Sequence, residues 1–105
     1  MPASAANDGA LPGLPDWAGV EVPARVGRAA VVAQQMEPLP HALTEICRRE
    51  MELSSLVVDA AVSGDRTLAL QALLLDPMGN DIDRSRAILD DFLVSFRTWL
   101  PQFWD

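Results

Sequence analysis

Hydrophobic and polar positions change their period near residue 38. Upstream, Val20-Glu21-Val22-Pro23-Ala24-Arg25-Val26 alternates, with Val20, Val22, Ala24 and Val26 on one side and Glu21, Pro23 and Arg25 on the other. A period of two predicts a half-buried strand. Proline cannot donate to a ladder, so Pro23 predicts an edge strand. Gly27-Arg28 turns the chain toward a second short strand, Ala29–Ala33, which makes one hairpin. Met1–Ala6 is small and featureless and reads as a flexible, frayed end. Asn7-Asp8-Gly9 and Leu11-Pro12-Gly13-Leu14-Pro15 are turn signals, because Pro fixes φ and Gly accepts positive φ.

Downstream the spacing becomes helical. Leu43, Ile46, Leu53, Val57 and Ala60 step by three and four along a helix of about Leu39–Ser63, with Pro40 in its first turn. Gly64 suits the left-handed residue after a helix end, and Asp65 the N-cap of the next helix, Arg66–Leu75. That helix is apolar almost all round, which predicts cover on several sides. Asp76-Pro77 ends it. Asp81 or Asp83 caps a third helix of about Asp83–Leu100 whose stripe is Ile88, Leu89, Phe92, Phe96 and Trp99. The expected class is α+β and mostly helical: an N-terminal extended segment and hairpin, then three helices.

A chain of 105 residues supports one modest core. Eight basic residues, all Arg, stand against fifteen acidic ones, for a net charge of −7. Such a surface repels phosphate backbones and anionic lipid, which argues against nucleic acid and membranes as partners. No stretch reaches the ~18–20 apolar residues of a membrane span. One cysteine makes no intrachain disulfide, and the expected compartment is the cytoplasm. With one histidine and no tyrosine, acid–base chemistry near neutral pH has few carriers.

The candidate sites are sparse. Cys47 and His41 are a nucleophile and a base by type, but six residues on one helix turn them to different sides. Cys47 reads as a small buried hydrophobe and His41 as a surface residue. Glu50 falls inside the first helix's stripe and is expected to pair with Arg49 or Arg97, or to meet a subunit contact. Glu45, Glu50 and Glu52 spread over different faces and make no carboxylate dyad. Asp76, Asp81 and Asp83 lack the glycine and terminal glutamate of a calcium loop and read as caps. Neither GxGxxG nor GxxxxGK[ST] occurs. Trp17, Trp99 and Trp104, with Phe92, Phe96 and Phe103, read as core or interface aromatics.

Several blocks, in order, carry a resemblance. They are Asn7-Asp8-Gly9-Ala10-Leu11-Pro12-Gly13-Leu14-Pro15, Val20-Glu21-Val22-Pro23-Ala24, Leu43 with Ile46-Cys47-Arg48-Arg49-Glu50, Val58–Asp65, Leu68–Pro77, and Trp99-Leu100-Pro101-Gln102-Phe103. Together they resemble the C-terminal region of glycoside hydrolase family 4, the NAD- and Mn-dependent α-glucosidases, α-galactosidases and 6-phospho-glycosidases. Ser54-Ser55, His41 and Thr44 depart from the family's pattern.

The resemblance implies residues 7–105 as the C-terminal part of a family 4 domain with a lactate dehydrogenase C-terminal-like fold. It implies a fragment of a longer enzyme (EC 3.2.1.-). In the family, hydride transfer to NAD oxidises the sugar at C3, loss of the C2 proton expels the leaving group, and manganese stabilises the charge. The glycine-rich NAD loop and the metal-binding Cys and His belong to regions this chain does not carry, so Cys47 inherits no ligand role. The expectation is no catalytic, cofactor or metal residue in this chain, with Asn7 at the edge of the substrate cleft. The partner is then a Rossmann domain or another subunit, in a homo-oligomer, and the chain alone is inactive. The rival reading is a stand-alone helical protein-interaction module.

Overall fold

Two units make up the chain in the computed structural model, which describes residues 1–105: Met1–Arg48 and Arg49–Asp105. The first holds an antiparallel sheet of strands β1 (Pro2–Ala6), β2 (Gly19–Val26) and β3 (Val31–Ala33), in the order β1-β2-β3. The second holds the greater part of helix α1 (His41–Ser63), helices α2 (Arg66–Leu75) and α3 (Ile82–Ser95), and a 3-10 turn at Pro101–Phe103. This is the α+β, mostly helical architecture expected from the sequence.

Strand β2 is where the period-two pattern placed it, and Val20, Val22 and Ala24 are buried while Glu21, Pro23 and Arg25 are exposed. Two features differ from expectation. Met1–Ala6 does not fray: Pro2 pairs with Pro23, Ala3 with Val22, Ser4 with Glu21, Ala5 with Val20 and Ala6 with Gly19. Small, uncharged side chains carry little sequence signal, and the pairing energy comes from a partner 13 to 21 residues away in the register. Strand β2 is also central rather than an edge.

The ladder geometry shows how Pro23 is tolerated there. Ala24 N–H donates to Met1 O on the β1 side at 2.7 Å, so Pro23 faces β3. Its carbonyl accepts from Gln34 N–H at 2.8 Å, and the return bond, which needs an N–H on Pro23, falls beyond the last paired position, Ala24 with Ala33. The missing donor sits where the β2–β3 ladder has already ended. Val26, at the far end of β2, is exposed along with Val31 and Val32.

Local signals set the helix ends. Asp65 caps α2, its carboxylate accepting from Thr67 N–H at 2.7 Å and Leu68 N–H at 3.2 Å. Asp81 caps α3 by accepting from Arg84 N–H at 2.9 Å. Gly64 has φ of +72°, and a Cβ there would collide with the Gln102 carbonyl. Glycine therefore serves both the left-handed turn and the close approach of the C-terminal segment.

Helix α3 stops at Ser95, five residues short of the expected Leu100. Pro101 disfavours helical geometry at Leu100, which has φ −128° and ψ 53°. The segment before it tightens into three-residue bonds, with Arg97 N–H to Val94 O, Trp99 N–H to Phe96 O, and Leu100 N–H to Arg97 O.

The expected stripes are only partly covered. On α3 the buried row is Ser85 and Leu93, with Leu89 between them half-buried, whereas Ile88, Phe92 and Phe96 are 51%, 51% and 45% exposed. On α1 the buried positions are Thr44 and Ala60, while Leu43, Ile46 and Val57 are exposed. Helix α2 buries only Ala72; its leucines are half-buried. The apolar arcs were read correctly as apolar, but this chain supplies cover for one edge of each.

Candidate functional site

Asn7 organises the first unit. It follows β1, and it is 1% exposed. Its carboxamide nitrogen donates to the carbonyls of Leu11 (3.0 Å), Leu14 (3.0 Å) and Pro15 (3.2 Å). Its carboxamide oxygen accepts from Leu11 N–H at 2.7 Å. Its backbone N–H bonds Ala18 O at 2.8 Å, and its carbonyl accepts from Ala10 N–H at 2.7 Å. The loop from Asp8 to Ala18 is thus wound around one side chain.

Positive φ at Asp8 (42°), Gly9 (80°) and Gly13 (87°) allows that winding. Ala10, Leu14 and Ala18 of the same loop are buried. Gly13 also makes room for Thr44: a Cβ on the glycine would lie 3.3 Å from Thr44 Cγ2. Arg48 holds the same turn through Gly13 O at 3.3 Å, and Met36 N–H bonds Ala10 O at 2.8 Å. Asn7 is buried, and both polar atoms of its amide bond to loop backbone rather than face solvent. Sequence reasoning picked out the residue but missed this role. The signal was present in Asn7-Asp8-Gly9 followed by the turn Leu11-Pro12-Gly13-Leu14-Pro15, since a short amide is suited to satisfying turn backbone.

The second unit holds an apolar cleft of about 360 Å³. Ala60, Ala61, Ala69 and Ala72 form its small-residue side, and larger residues such as Val57, Leu73, Ile88, Phe92, Leu100 and Phe103 also line it. Asp76 is its sole charged lining residue. Phe92 and Phe96 stack in a tilted pair, with ring centroids 4.6 Å apart.

Behind it, Gln102 Nε2 donates to Ala61 O at 2.8 Å and Arg66 Nε to Phe103 O at 3.2 Å. Arg66 and Arg97 each lie 4.4 Å from the Trp104 ring centroid, a pair of cation–π contacts that pins the C-terminal turn. The indole Nε1–H of Trp104 is buried without a partner.

The remaining candidates do not converge. His41 is exposed at the first position of α1, and Cys47 is half-buried. Glu50 is exposed; Arg49 is engaged instead with Leu75 O, at 2.9 Å from Nε and 2.6 Å from a terminal nitrogen, and Arg97 with Trp104. Asp81 acts as a cap and Asp76 accepts from Met78 N–H. No group of three or more His, Cys, Asp or Glu side chains could hold a metal ion. No helix is long and apolar enough to cross a membrane.

The fold is a short antiparallel sheet with a glycine- and proline-rich connecting loop, followed along the chain by three helices. The chain belongs to the family 4 glycosyl hydrolase C-terminal domain family, whose model matches residues 1–79. It is 27% identical over 105 residues to a probable 6-phospho-beta-glucosidase of Bacillus subtilis (strain 168), covering 100% of this chain and 24% of that protein. It is 30% identical over 100 residues to an alpha-galactosidase of Rhizobium meliloti (strain 1021), covering 92% of this chain and 20% of that one.

Its fold matches a 6-phospho-alpha-glucosidase from gut microorganisms, solved in complex with NAD and glucose-6-phosphate, at a TM-score of 0.86 and 22% identity. That match covers 97% of this chain and 23% of the other. A structure of a 6-phospho-alpha-glucosidase from gut microorganisms with NAD and Mn2+ gives the same TM-score at 24% identity. The chain thus spans about a quarter or less of the length of these relatives. Both of those solved proteins hold NAD, and the second holds Mn2+. The residues of this chain do not fit either group: its carboxylates are caps or isolated surface charges, and its glycines serve turns and close packing.

Proposed function

We propose that this chain supplies the C-terminal domain of a family 4 glycosidase, an enzyme that cleaves O-glycosyl bonds by NAD-dependent oxidation and elimination with manganese. The chemistry belongs to polypeptide beyond these residues, and this domain contributes packing and oligomer contacts. Alone it is catalytically inactive. The observation that carries the reading is the open apolar cleft of the second unit, a core left without cover where Val57, Ile88 and Phe92 are half exposed. A monomeric protein does not ordinarily leave such a face to water.

In this reading Asn7 serves the substrate edge by holding the Asp8–Ala18 loop in one shape, not by touching sugar. The compartment is the cytoplasm, in keeping with one free thiol, Cys47. Calorimetry with NAD and manganese-dependent turnover of nitrophenyl glycosides test the reading. The isolated chain is expected to show neither; micromolar NAD binding or metal-dependent turnover by this chain would overturn it.

A further inference from the structure

Asp8-Gly9 is the one place in the chain where an aspartate or asparagine precedes glycine. The pair is chemically labile, because glycine has no side chain to block its nitrogen from turning back on the neighbouring carboxyl. A fold can shield such a bond, and this one displays it. Asp8 is exposed, and a Cβ built on Gly9 would meet nothing within 4 Å. Asp8 and Gly9 occupy the centre of a tight turn, with φ of 42° and 80°, closed by Ala10 N–H to Asn7 O at 2.7 Å. Two positive φ values mark the mirror-image turn that Asp-Gly favours. Its closing bond uses the Ala10 nitrogen and leaves the Gly9 nitrogen out. Asp8 is also the only residue other than glycine at positive φ, a conformation that costs an L side chain energy. We infer that Asp8 is a site of spontaneous covalent ageing: its carboxyl cyclises onto the Gly9 nitrogen, and the ring reopens to leave an isoaspartyl link in the loop wound around Asn7.

The step needs only water. In the acid form of the side chain, the Gly9 nitrogen bonds to Asp8 Cγ, the Cγ–OH bond breaks, and the hydroxyl leaves as water with the amide proton. The product is a five-membered imide, and water then adds to one of its two carbonyls. Cleavage between nitrogen and Cγ restores aspartate. Cleavage between nitrogen and the main-chain carbonyl carbon leaves the peptide running through Cβ and Cγ, with a free carboxylate on Cα. Nothing is oxidised or reduced, and the mass of the chain is unchanged.

Other aspartates lack this combination. Asp65 and Asp81 are held as caps by the N–H groups of the following turn, and Asp76 precedes proline, which has no N–H to give up. The link at Asp8 also has a structural consequence. It adds one atom to the backbone inside the turn that Ala10 closes on Asn7, and just before Leu11, whose N–H reaches Asn7 Oδ1 at 2.7 Å. Both bonds depend on the native spacing, so the aged loop loses its grip on the buried amide.

The folded chain, incubated at physiological temperature and sampled over weeks, tests this. An isoaspartyl carboxyl methyltransferase with labelled S-adenosylmethionine counts the links, and peptide mapping with electron-transfer fragmentation places them. The Asp8 peptide is expected to carry most of the isoaspartate, several-fold more than any other aspartate peptide. Asp8→Ser, which has no carboxyl, should lose the signal. Asp8→Asn, which closes the same ring with loss of ammonia, should raise it several-fold while keeping the turn; if circular dichroism shows Asp8→Ser unfolded, Asp8→Asn alone decides. A parallel incubation in guanidinium chloride separates fold from sequence. Isoaspartate at Asp8 that forms only in the unfolded chain overturns the inference, as does a folded chain with its links spread evenly over the aspartates. The aged fraction, isolated by ion exchange, should unfold at lower urea than the fresh chain by tryptophan fluorescence; an unchanged midpoint would overturn the claim that the link loosens the loop. The chemistry needs no glycosidase partner, so the NAD and hydrolysis assays do not bear on it.

Discussion

Replacing Asn7 with Asp tests the loop at its centre, because the two side chains have the same shape and differ in what they offer. In the native loop one amide nitrogen serves three carbonyls, Leu11, Leu14 and Pro15, at 3.0 to 3.2 Å. An aspartate oxygen in that place faces three acceptors with no proton to give. Each lost bond costs about 1 kcal/mol net, and leaving a buried acceptor unpaired costs about 1–3 kcal/mol. Burial of the new charge at a site 1% exposed adds to this. The expected destabilisation is about 3–5 kcal/mol, a large share of the ~5–15 kcal/mol typical of a whole domain. Asn7→Ala, which loses the bonds without adding a charge, should cost about 2–4 kcal/mol.

Urea titrations of the wild type and both variants, followed by circular dichroism and by tryptophan fluorescence, read the effect. Trp17 lies inside the loop and reports it locally. A shift under about 0.5 kcal/mol for Asn7→Asp, at unchanged denaturant slope, would refute the claim that this amide holds the loop. In that case a direct role at the substrate edge would become the better account of the residue.

Two further substitutions address the rest of the chain. Gly64→Ala forces a left-handed alanine, at about 1–2 kcal/mol, and collides with the Gln102 carbonyl; thermal unfolding should fall accordingly, and an unchanged midpoint would mean that the C-terminal turn is not packed there. Cys47→Ser should cost at most ~1–2 kcal/mol and leave function intact, because a half-buried thiol gives way to a hydroxyl; a loss of activity in an assembled enzyme with unchanged circular dichroism would assign the thiol a chemical role.

What the sequence determined by itself is local. Asp65 and Asp81 cap because a short carboxylate reaches the free N–H groups of the next turn, whatever lies around them. Gly64 ends α1 because the left-handed turn is open to glycine, and Arg66–Leu75 is bounded as its caps require. The alternation of Val20, Val22 and Ala24 placed β2 because one face of a strand must be covered. The family was legible too, in the order of its blocks.

Tertiary structure alone decided the rest. Met1–Ala6 became a strand because β2 lies alongside it, a contact that five small residues do not announce. Pro23 sits in a central strand because β3 stops one position before its missing N–H would matter. Which edge of each apolar arc is covered also depended on neighbours. Periodicity shows that Ile88, Phe92 and Leu93 are on or beside one stripe, but only packing settles that Leu93 is buried and Ile88 and Phe92 face an open cleft. Asn7 shows the same limit at the candidate site. The sequence marked it as part of a turn and the resemblance set it at a cleft edge, while the carbonyls of Leu11, Leu14 and Pro15, brought round by the loop, took the donors of its amide.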